Sequence, residues 1–210
     1  MANLRIGIPV YDKIDPNTVA SLWSLSKTDS VLEILIGTYI DEARNKIIEH
    51  LEEPYLLFID GDMVFNQSDV MKLMEAMEAD PKLGAVSGLY VKRKGDEMPV
   101  CNWMKDGEWL EDEERRKWAA DCRGVVEVGS FGMGLTLCRG AALNDMEFPY
   151  MESGYTKDHG YMSEDSVFCI KMRAAGWKTA VHFGVRIGHV GQEVWWPKAV
   201  EEKKEVALAV

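Results

Sequence analysis

Tyr55-Leu56-Leu57-Phe58-Ile59-Asp60-Gly61-Asp62 is a five-residue apolar run that gives way at once to two carboxylates around a glycine. A continuous apolar run of this length predicts a strand buried on both faces, as in the middle of a parallel sheet. Ligands of such sheets collect at the carboxyl ends of the strands, which is where Asp60 and Asp62 fall. Two hard oxygen donors one residue apart suit Mg²⁺ or Mn²⁺ and leave positions open for phosphate oxygens and water. Asp-Gly is also ordinary turn chemistry. An EF-hand is excluded, because the sixth and twelfth positions of such a loop would be Phe65 and Met71 instead of glycine and an acid.

Upstream of this run, Leu4 to Tyr11 predicts a first strand. Pro16 to Ser26 predicts a helix with Asp15 as N-cap and with Val19, Ala20, Leu22 and Trp23 at helical spacing. Val31 to Ile36 reads as a second strand. Asp41 to Leu51 reads as a helix carrying Ala43, Ile47, Ile48 and Leu51 on one face. Downstream, Ser68 to Ala79 predicts a helix capped by Ser68 and stopped by Asp80-Pro81, followed by a strand over Leu83 to Tyr90. This β-α-β-α-β-α-β order predicts an α/β fold, a mostly parallel sheet with helices on both faces, in a single domain.

The second half is less regular. Val125 to Val128 and Leu135 to Cys138 read as strands around the turn Gly129-Ser130-Phe131-Gly132-Met133-Gly134. Ser163 to Ala175 reads as a helix ended by Gly176, Thr179 to Phe183 and Val185 to Val190 as short strands, and Pro197 to Leu208 as a terminal helix. Lys92 to Arg123 is a charged stretch that suits a solvated flap or helix.

Composition narrows the function classes. Apolar residues make up 47% of the 210, which suits a globular chain. The formal net charge of −11 disfavours routine binding to phosphate backbones without excluding a local basic groove. An acidic protein that holds a nucleotide diphosphate needs a cation or buried basic groups to do so. Cys101, Cys122, Cys138 and Cys169 form no C-x-x-C pair and are expected as reduced packing thiols. No apolar run is long enough to span a bilayer and no signal-peptide layout is visible, so a cytoplasmic protein is expected.

Several further residues are candidates for chemistry. Ser163-Glu164-Asp165 opens a helix, where Ser163 can cap and acids suit the helix dipole. Functionally, one of the two acids is a candidate general base, and the ~100° between adjacent helical residues lets only one face a reaction centre. His189, between Gly188 and Gly191, is either structural or a third metal ligand beside the Asp-x-Asp pair. His50 and His182 suit structural roles, and His159 is a weaker acceptor-site candidate. Arg44 reads either as a surface arginine or as a diphosphate or nucleotide contact. Trp195 and Trp196 read as packing residues, or as faces on which a sugar stacks. The glycine turn has G-x-x-G-x-G spacing and joins two strands, so it is no dinucleotide fingerprint; it lets backbone approach a sugar or bends a strand. No Walker A, H-E-x-x-H or G-x-S-x-G motif is present.

In their order and spacing these residues resemble the GT-A glycosyltransferases, especially the inverting family 2 group and its short viral versions. The resemblance runs through Ile8-Pro9-Val10-Tyr11, Ala43-Arg44-Asn45, Asp60-Gly61-Asp62, Gly88-Leu89-Tyr90, Gly132-Met133-Gly134, Ser163-Glu164-Asp165, Ala175-Gly176-Trp177 and His189, from about residue 4 to 191. It implies a nucleotide-binding half over 1–91, a charged flap over 92–124, and an acceptor and catalytic half over 125–210. Pro9, Val10 and Tyr11 would line the nucleobase pocket, and Arg44 would contact the nucleotide. Asp60, Gly61 and Asp62 would hold a ribose-diphosphate with Mn²⁺ or Mg²⁺, Asp62 being the more direct ligand and His189 completing the metal site. Gly132, Met133 and Gly134 would border the donor. Asp165 would be the base, with Glu164 binding acceptor or sugar hydroxyls. Lys92, Arg93 and Lys94 would fold over the phosphates.

The implied donor is a nucleotide-sugar, UDP-sugar favoured. The implied acceptor is a hydroxyl of a glycan, a protein or a modified DNA base, in the host cytoplasm if the gene is viral. Processive relatives carry Q-x-x-R-W, whereas this chain has Gln192-Glu193-Val194-Trp195-Trp196, so single transfer is expected. Two rivals remain: a sugar-nucleotide nucleotidyltransferase, whose glycine-rich basic loop is not seen at Tyr11-Asp12-Lys13, and a non-catalytic nucleotide- or glycan-binding protein.

Overall fold

In the computed structural model the run around Phe58 lies inside a seven-stranded sheet, and the structure describes residues 3–25, 29–37, 39–93, 98–105, 108–157, 160–191 and 194–197. The first half runs β1 (Leu4–Val10), α1 (Pro16–Ser24), β2 (Ser30–Ile36), α2 (Ile40–Glu49), β3 (Tyr55–Ile59), β4 (Met63–Val64), α3 (Gln67–Ala79) and β5 (Leu83–Leu89). The flap region contributes β6 (Cys101–Asn102), β7 (Met104–Lys105), β8 (Glu108–Trp109) and α4 (Asp112–Asp121). Next come β9 (Val125–Glu127), β10 (Ser130–Phe131), β11 (Leu135–Arg139), α5 (Gly140–Asn144), β12 (Gly154–Thr156) and β13 (Gly160–Met162). The chain closes with α6 (Glu164–Ala174), β14 (Lys178–Arg186), β15 (Gly188–Val190) and β16 (Val194–Trp195).

The sheet order is β2-β1-β3-β11-β5-β14-β9. Strand β1 pairs in parallel with β2 and β3, and β14 pairs in parallel with β5. Strand β11 is antiparallel between β3 and β5, and β9 is antiparallel on β14. Strands β1, β2, β3, β5 and β14 therefore point one way, so their carboxyl ends share one edge of the molecule. The sheet is mostly parallel, flanked by helices, as its alternating first half predicts.

Period-two alternation in β3 sorts its side chains between two cores. Leu57 and Ile59 pack with Leu25 after α1 and with Val70, Leu73 and Met77 of α3. Leu56 and Phe58 pack with Ile47 and Ile48 of α2, Leu143 of α5, and Phe168 and Met172 of α6. Each such side chain contributes about 1.5–3 kcal/mol on burial. A Cβ on Gly7 would stand 2.6 Å from Ile47 Cγ2, so glycine there lets α2 lie close against β1. The same alternation places the next residue, Asp60, on the α2 and α6 side of the sheet.

Some expectations are corrected. Helix α1 turns Thr18 and Ser21 inward while Val19 and Trp23 stay 51% and 80% exposed. Its inner face meets the free N–H of Phe65, which donates to Ser21 Oγ at 3.0 Å, so a hydroxyl serves where an apolar group would not. Asp15 does cap α1, accepting from Asn17 N at 2.8 Å. Helix α3 begins one residue earlier than expected and is capped by Asn66, not Ser68. Asn66 Oδ1 accepts from Ser68 N at 2.9 Å and Asp69 Oδ2 accepts from Asn66 N at 3.0 Å, a reciprocal capping box. The glycine turn contains β10, which pairs with β6 of the flap. Strand β14 is continuous through Gly184, with a register shift between His182 and Arg186 that carries the chain on to pair with Leu89. In the flap, α4 docks Trp118 edge-on against Phe183, with ring centroids 5.8 Å apart. His159, Lys94, Gln192, Glu193 and, beyond Pro197, the terminal helix lie outside the described residues. Among those described, no helix is long and apolar enough to cross a membrane.

The cap assignment is testable. Asn66→Ala is expected to cost about 1 kcal/mol in urea unfolding, and Ser68→Ala no more than about 0.5 kcal/mol. Equal costs would refute Asn66 as the cap.

Candidate active site

Helix α2 leaves its N-terminus at the carboxyl edge of the sheet, and Arg44 in its first turns points inward. Its side chain is 1% exposed and meets three carboxylates. Arg44 Nη2 donates to Asp60 Oδ1 at 2.7 Å, and Nη1 donates to Glu164 Oε1 and to Asp165 Oδ1, each at 3.0 Å. The surface reading of Arg44 is overturned: it is a buried hub beneath the site. Burial works against its charge, and Asp60, Asp165 and Glu164 outweigh that, holding the guanidinium charged more firmly than a free one.

The α6 end of the cluster also differs from the helical-wheel expectation. Glu164 and Asp165 reach the same nitrogen of Arg44, because the guanidinium enters across the first turn. Only Asp165, however, lines the small pocket formed with Ser163, Ser166, Asn102, Arg115 and Gly132. Ser163 occupies the N-cap position without a side-chain capping bond. Burial pushes the Asp165 carboxyl up to about 7; Arg44 pulls it down, while Glu164 and Asp60 push it up. Tyr90 lies beside this cluster, its phenol held well above its usual range by burial and then by Asp165 and Asp60. Tyr90 Oη accepts from Gly134 N at 3.2 Å.

Asp62 takes a different direction. After the turn, β4 pairs antiparallel with β15, which puts His189 opposite Met63. Val190 N donates to Asp62 O at 2.8 Å, and His189 Nε2 stands 3.6 Å from Asp62 Oδ2. Trp195 of β16 sits opposite His189, and Trp196 packs over Gly188, where a Cβ would be 2.9 Å from Trp196 Cε2. These indoles brace the β15 strand. The tyrosine ring of Tyr90 meets His189 edge-on at 5.2 Å.

The expected metal set of Asp60, Asp62 and His189 is therefore split. Asp60 Oδ1 is committed to Arg44, and among the described residues no three His, Cys, Asp or Glu side chains gather as a cation site. Asp62 and His189 do come together, and Asp62 Oδ1 is buried with no hydrogen-bond partner. A carboxylate with one oxygen lacking a donor and the other 3.6 Å from an imidazole nitrogen fits a divalent cation that takes its remaining ligands from substrate.

Between the ends of β1 and β3 lies an open cavity of ≈ 510 Å³, lined by Pro9, Val10, Tyr11, Asp12, Lys13, Asp15, Ile40, Asp60, Gly61, Asp62, Arg93, Val190 and Gly191. That is within the ~300–1,000 Å³ typical of small-molecule sites. The structure thus gathers Pro9, Val10, Tyr11, Asp60, Gly61 and Asp62 around one space. A Cβ on Gly61 would lie 3.2 Å from Lys13 O, so the glycine lets the β1 loop close on the motif. Gly132, Met133 and Gly134 are corrected: Met133 is core and Gly134 is buried, and Cβ atoms on the two glycines would meet Tyr90 at 2.0 and 3.0 Å. They make room for Tyr90, and only Gly132 borders a pocket. Sequence reasoning missed Tyr90's place here; its signal was an aromatic directly after a buried strand. It also missed Arg93's contact with Asp62 and His189.

Comparisons with known proteins bear on the fold. The profile of the family described as "Glycosyl transferase family 2" matches residues 37–126, which include Arg44, the Asp-x-Asp pair and Arg93. The solved structure of A197 from STIV superposes with a TM-score of 0.61 at 17% identity, covering 90% of this chain and 86% of that one. GalNAc-T7, solved with UDP, GalNAc and Mn²⁺, superposes with a TM-score of 0.56 at 12% identity over 91% of this chain. This chain covers 44% of that protein. No curated protein sequence matches. The chain has the GT-A fold.

Removing the hub would leave three carboxylates without their cation. Arg44→Met is expected to lose about 3–5 kcal/mol of stability at pH 8. The loss should shrink toward pH 5, because carboxylates packed together without a cation take up protons as pH falls. A loss independent of pH would refute the charge-hub account.

Proposed function

We propose that this protein is a metal-dependent glycosyltransferase that moves a sugar from a nucleotide-sugar to an acceptor hydroxyl, with inversion and in single transfers. The observation that carries this reading is the Arg44 bridge, which ties Asp60 at the nucleotide-sized cavity to Asp165 at the small pocket. One arginine thus fixes the distance between a donor side and a base. The fold and the family profile support the same reaction class. GalNAc-T7, with its UDP and Mn²⁺, supports a nucleotide-sugar donor, UDP-sugar favoured, and a metal.

In this reading Pro9, Val10 and Tyr11 receive the nucleobase, and Asp60 and Gly61 face the ribose-diphosphate. Asp62 and His189 would hold Mn²⁺ or Mg²⁺, which supplies charge neutralisation to the departing diphosphate. The acceptor oxygen forms its bond to the anomeric carbon as the bond from that carbon to the diphosphate oxygen breaks. The electron pair leaves on the nucleoside diphosphate, and the acceptor proton passes to Asp165. An attack from the side opposite the leaving group inverts the anomeric centre. Glu164, braced by the same arginine, would orient acceptor or sugar hydroxyls. The halves 1–91 and 125–210 would serve donor and acceptor, with 92–124 between them as a flap. The acceptor is a hydroxyl of a glycan, protein or modified DNA base. The four cysteines are all free thiols, which supports a reducing, cytoplasmic setting.

Three measurements test this. Incubation with UDP-, GDP-, CMP- and dTDP-sugars and Mn²⁺ should release the free nucleotide of one class, and EDTA should stop it. Release of pyrophosphate from a nucleoside triphosphate and a sugar 1-phosphate would instead indicate a nucleotidyltransferase, and no turnover with any donor a binding protein. Asp165→Asn should lower kcat by about 10²–10⁴-fold while donor affinity stays within a few-fold. Because the base works deprotonated and burial raises its pKa to about 7, wild-type activity should rise through about pH 7. Undiminished turnover in Asp165→Asn would remove Asp165 from the mechanism.

A further inference from the structure

Arg93 follows the last strand of the nucleotide half, and its side chain is 58% exposed. Its guanidinium nevertheless reaches back to the cavity. One Nη pairs with Asp62 Oδ2, and Nε donates to His189 Nε2 at 2.8 Å. These atoms belong to the two residues that the proposed function assigns to a divalent cation, and they lie 3.6 Å apart.

The surroundings favour a cation at this point. His189 Nδ1 faces the carbonyl oxygen of Val91 at 2.9 Å, and only a protonated Nδ1 can bond a carbonyl. The tautomer set in this way leaves a lone pair on Nε2, directed at Arg93. Asp62 Oδ1 is buried without a donor, so the carboxylate is incompletely satisfied even with the guanidinium in place. Asp12, Asp15 and Asp60 line the same cavity, against which Lys13 and Arg93 are the basic lining residues. Arg93 is thus part of the cavity wall, with more than half of its side chain exposed and no place in either core cluster.

We infer that Arg93 is a resident cation: with no divalent ion bound it holds Asp62 and His189 in ligand geometry, and a metal must displace it to bind. This inference rests on the reading of Asp62 and His189 as metal ligands. It makes Arg93 the residue that sets the metal affinity of the free protein. A displaced guanidinium stays beside the cavity, where an incoming diphosphate gives it a new anionic partner. Metal and nucleotide are therefore coupled through one side chain that both must move.

The test measures Mn²⁺ binding alone, by electron paramagnetic resonance of free Mn²⁺ and by calorimetry, without nucleotide. Arg93→Gln should bind Mn²⁺ about tenfold or more tightly than wild type, since the competing charge is gone. Arg93→Lys, which keeps the charge, should remain near wild type. Asp62→Asn combined with Arg93→Gln should lose the gain. Thermal melts confirm folding of each variant, as Arg93 contributes no core packing. If Arg93→Gln binds Mn²⁺ no more tightly than wild type while Asp62→Asn abolishes binding, the resident-cation inference fails and the metal reading stands. If no variant binds Mn²⁺, or binding ignores Asp62, the metal reading fails and takes the inference with it.

Discussion

The arrangement depends on one buried guanidinium. Arg44 has almost no exposed surface, and removing a charge of that kind from water is expensive unless fixed partners repay it. Three carboxylates do so, and they arrive from β3 and from the start of α6, elements distant in sequence. The ion cluster therefore works as a register pin between the end of the central strand and the helix that carries Glu164 and Asp165. It also sets the protonation of Asp165, whose carboxyl is raised by burial and like charges and restrained by Arg44.

The two aspartates flanking Gly61 have separate duties because of strand geometry. Asp60 continues the alternation of β3 and so falls on the face of α2 and α6, where Arg44 waits. Asp62 comes after the turn, when the chain has left the sheet, and joins His189 through the pairing of β4 with β15. Asp60 thus enters the protein's internal charge balance, while Asp62 is the aspartate to which the proposed function gives a divalent ion. The Arg93 ion pair and the partnerless oxygen of Asp62 support that proposed role.

Much of this was legible in the sequence. The apolar run before Asp60 and the alternation of elements gave the sheet and the edge at which ligands gather. Asp15 announced its helix through ordinary capping chemistry. What periodicity could not show were contacts made by tertiary placement. Arg44 stands among apolar residues on an amphipathic helix, and nothing local says that three acids will surround it. Ser21 faces inward because a distant backbone N–H needs an acceptor. The glycines at 132 and 134 read either as backbone approaching a sugar or as a strand bend, and they are space for the ring of Tyr90. The resemblance put His189 beside the Asp-x-Asp pair, but periodicity could not show the short β4–β15 pairing that brings it there.

The central claim is that the edge formed by the ends of β1 and β3 holds a nucleotide together with a divalent ion at Asp62 and His189. Amide NMR spectra of ¹⁵N-labelled protein with UDP, GDP, CDP or dTDP, followed by a Mn²⁺ titration, test it most directly. The account predicts that with one of these nucleotides shifts appear at Val10, Tyr11 and Gly61, and that paramagnetic broadening centres on Asp62 and His189. Broadening centred elsewhere, or no shift at those residues with any of the four, would contradict it.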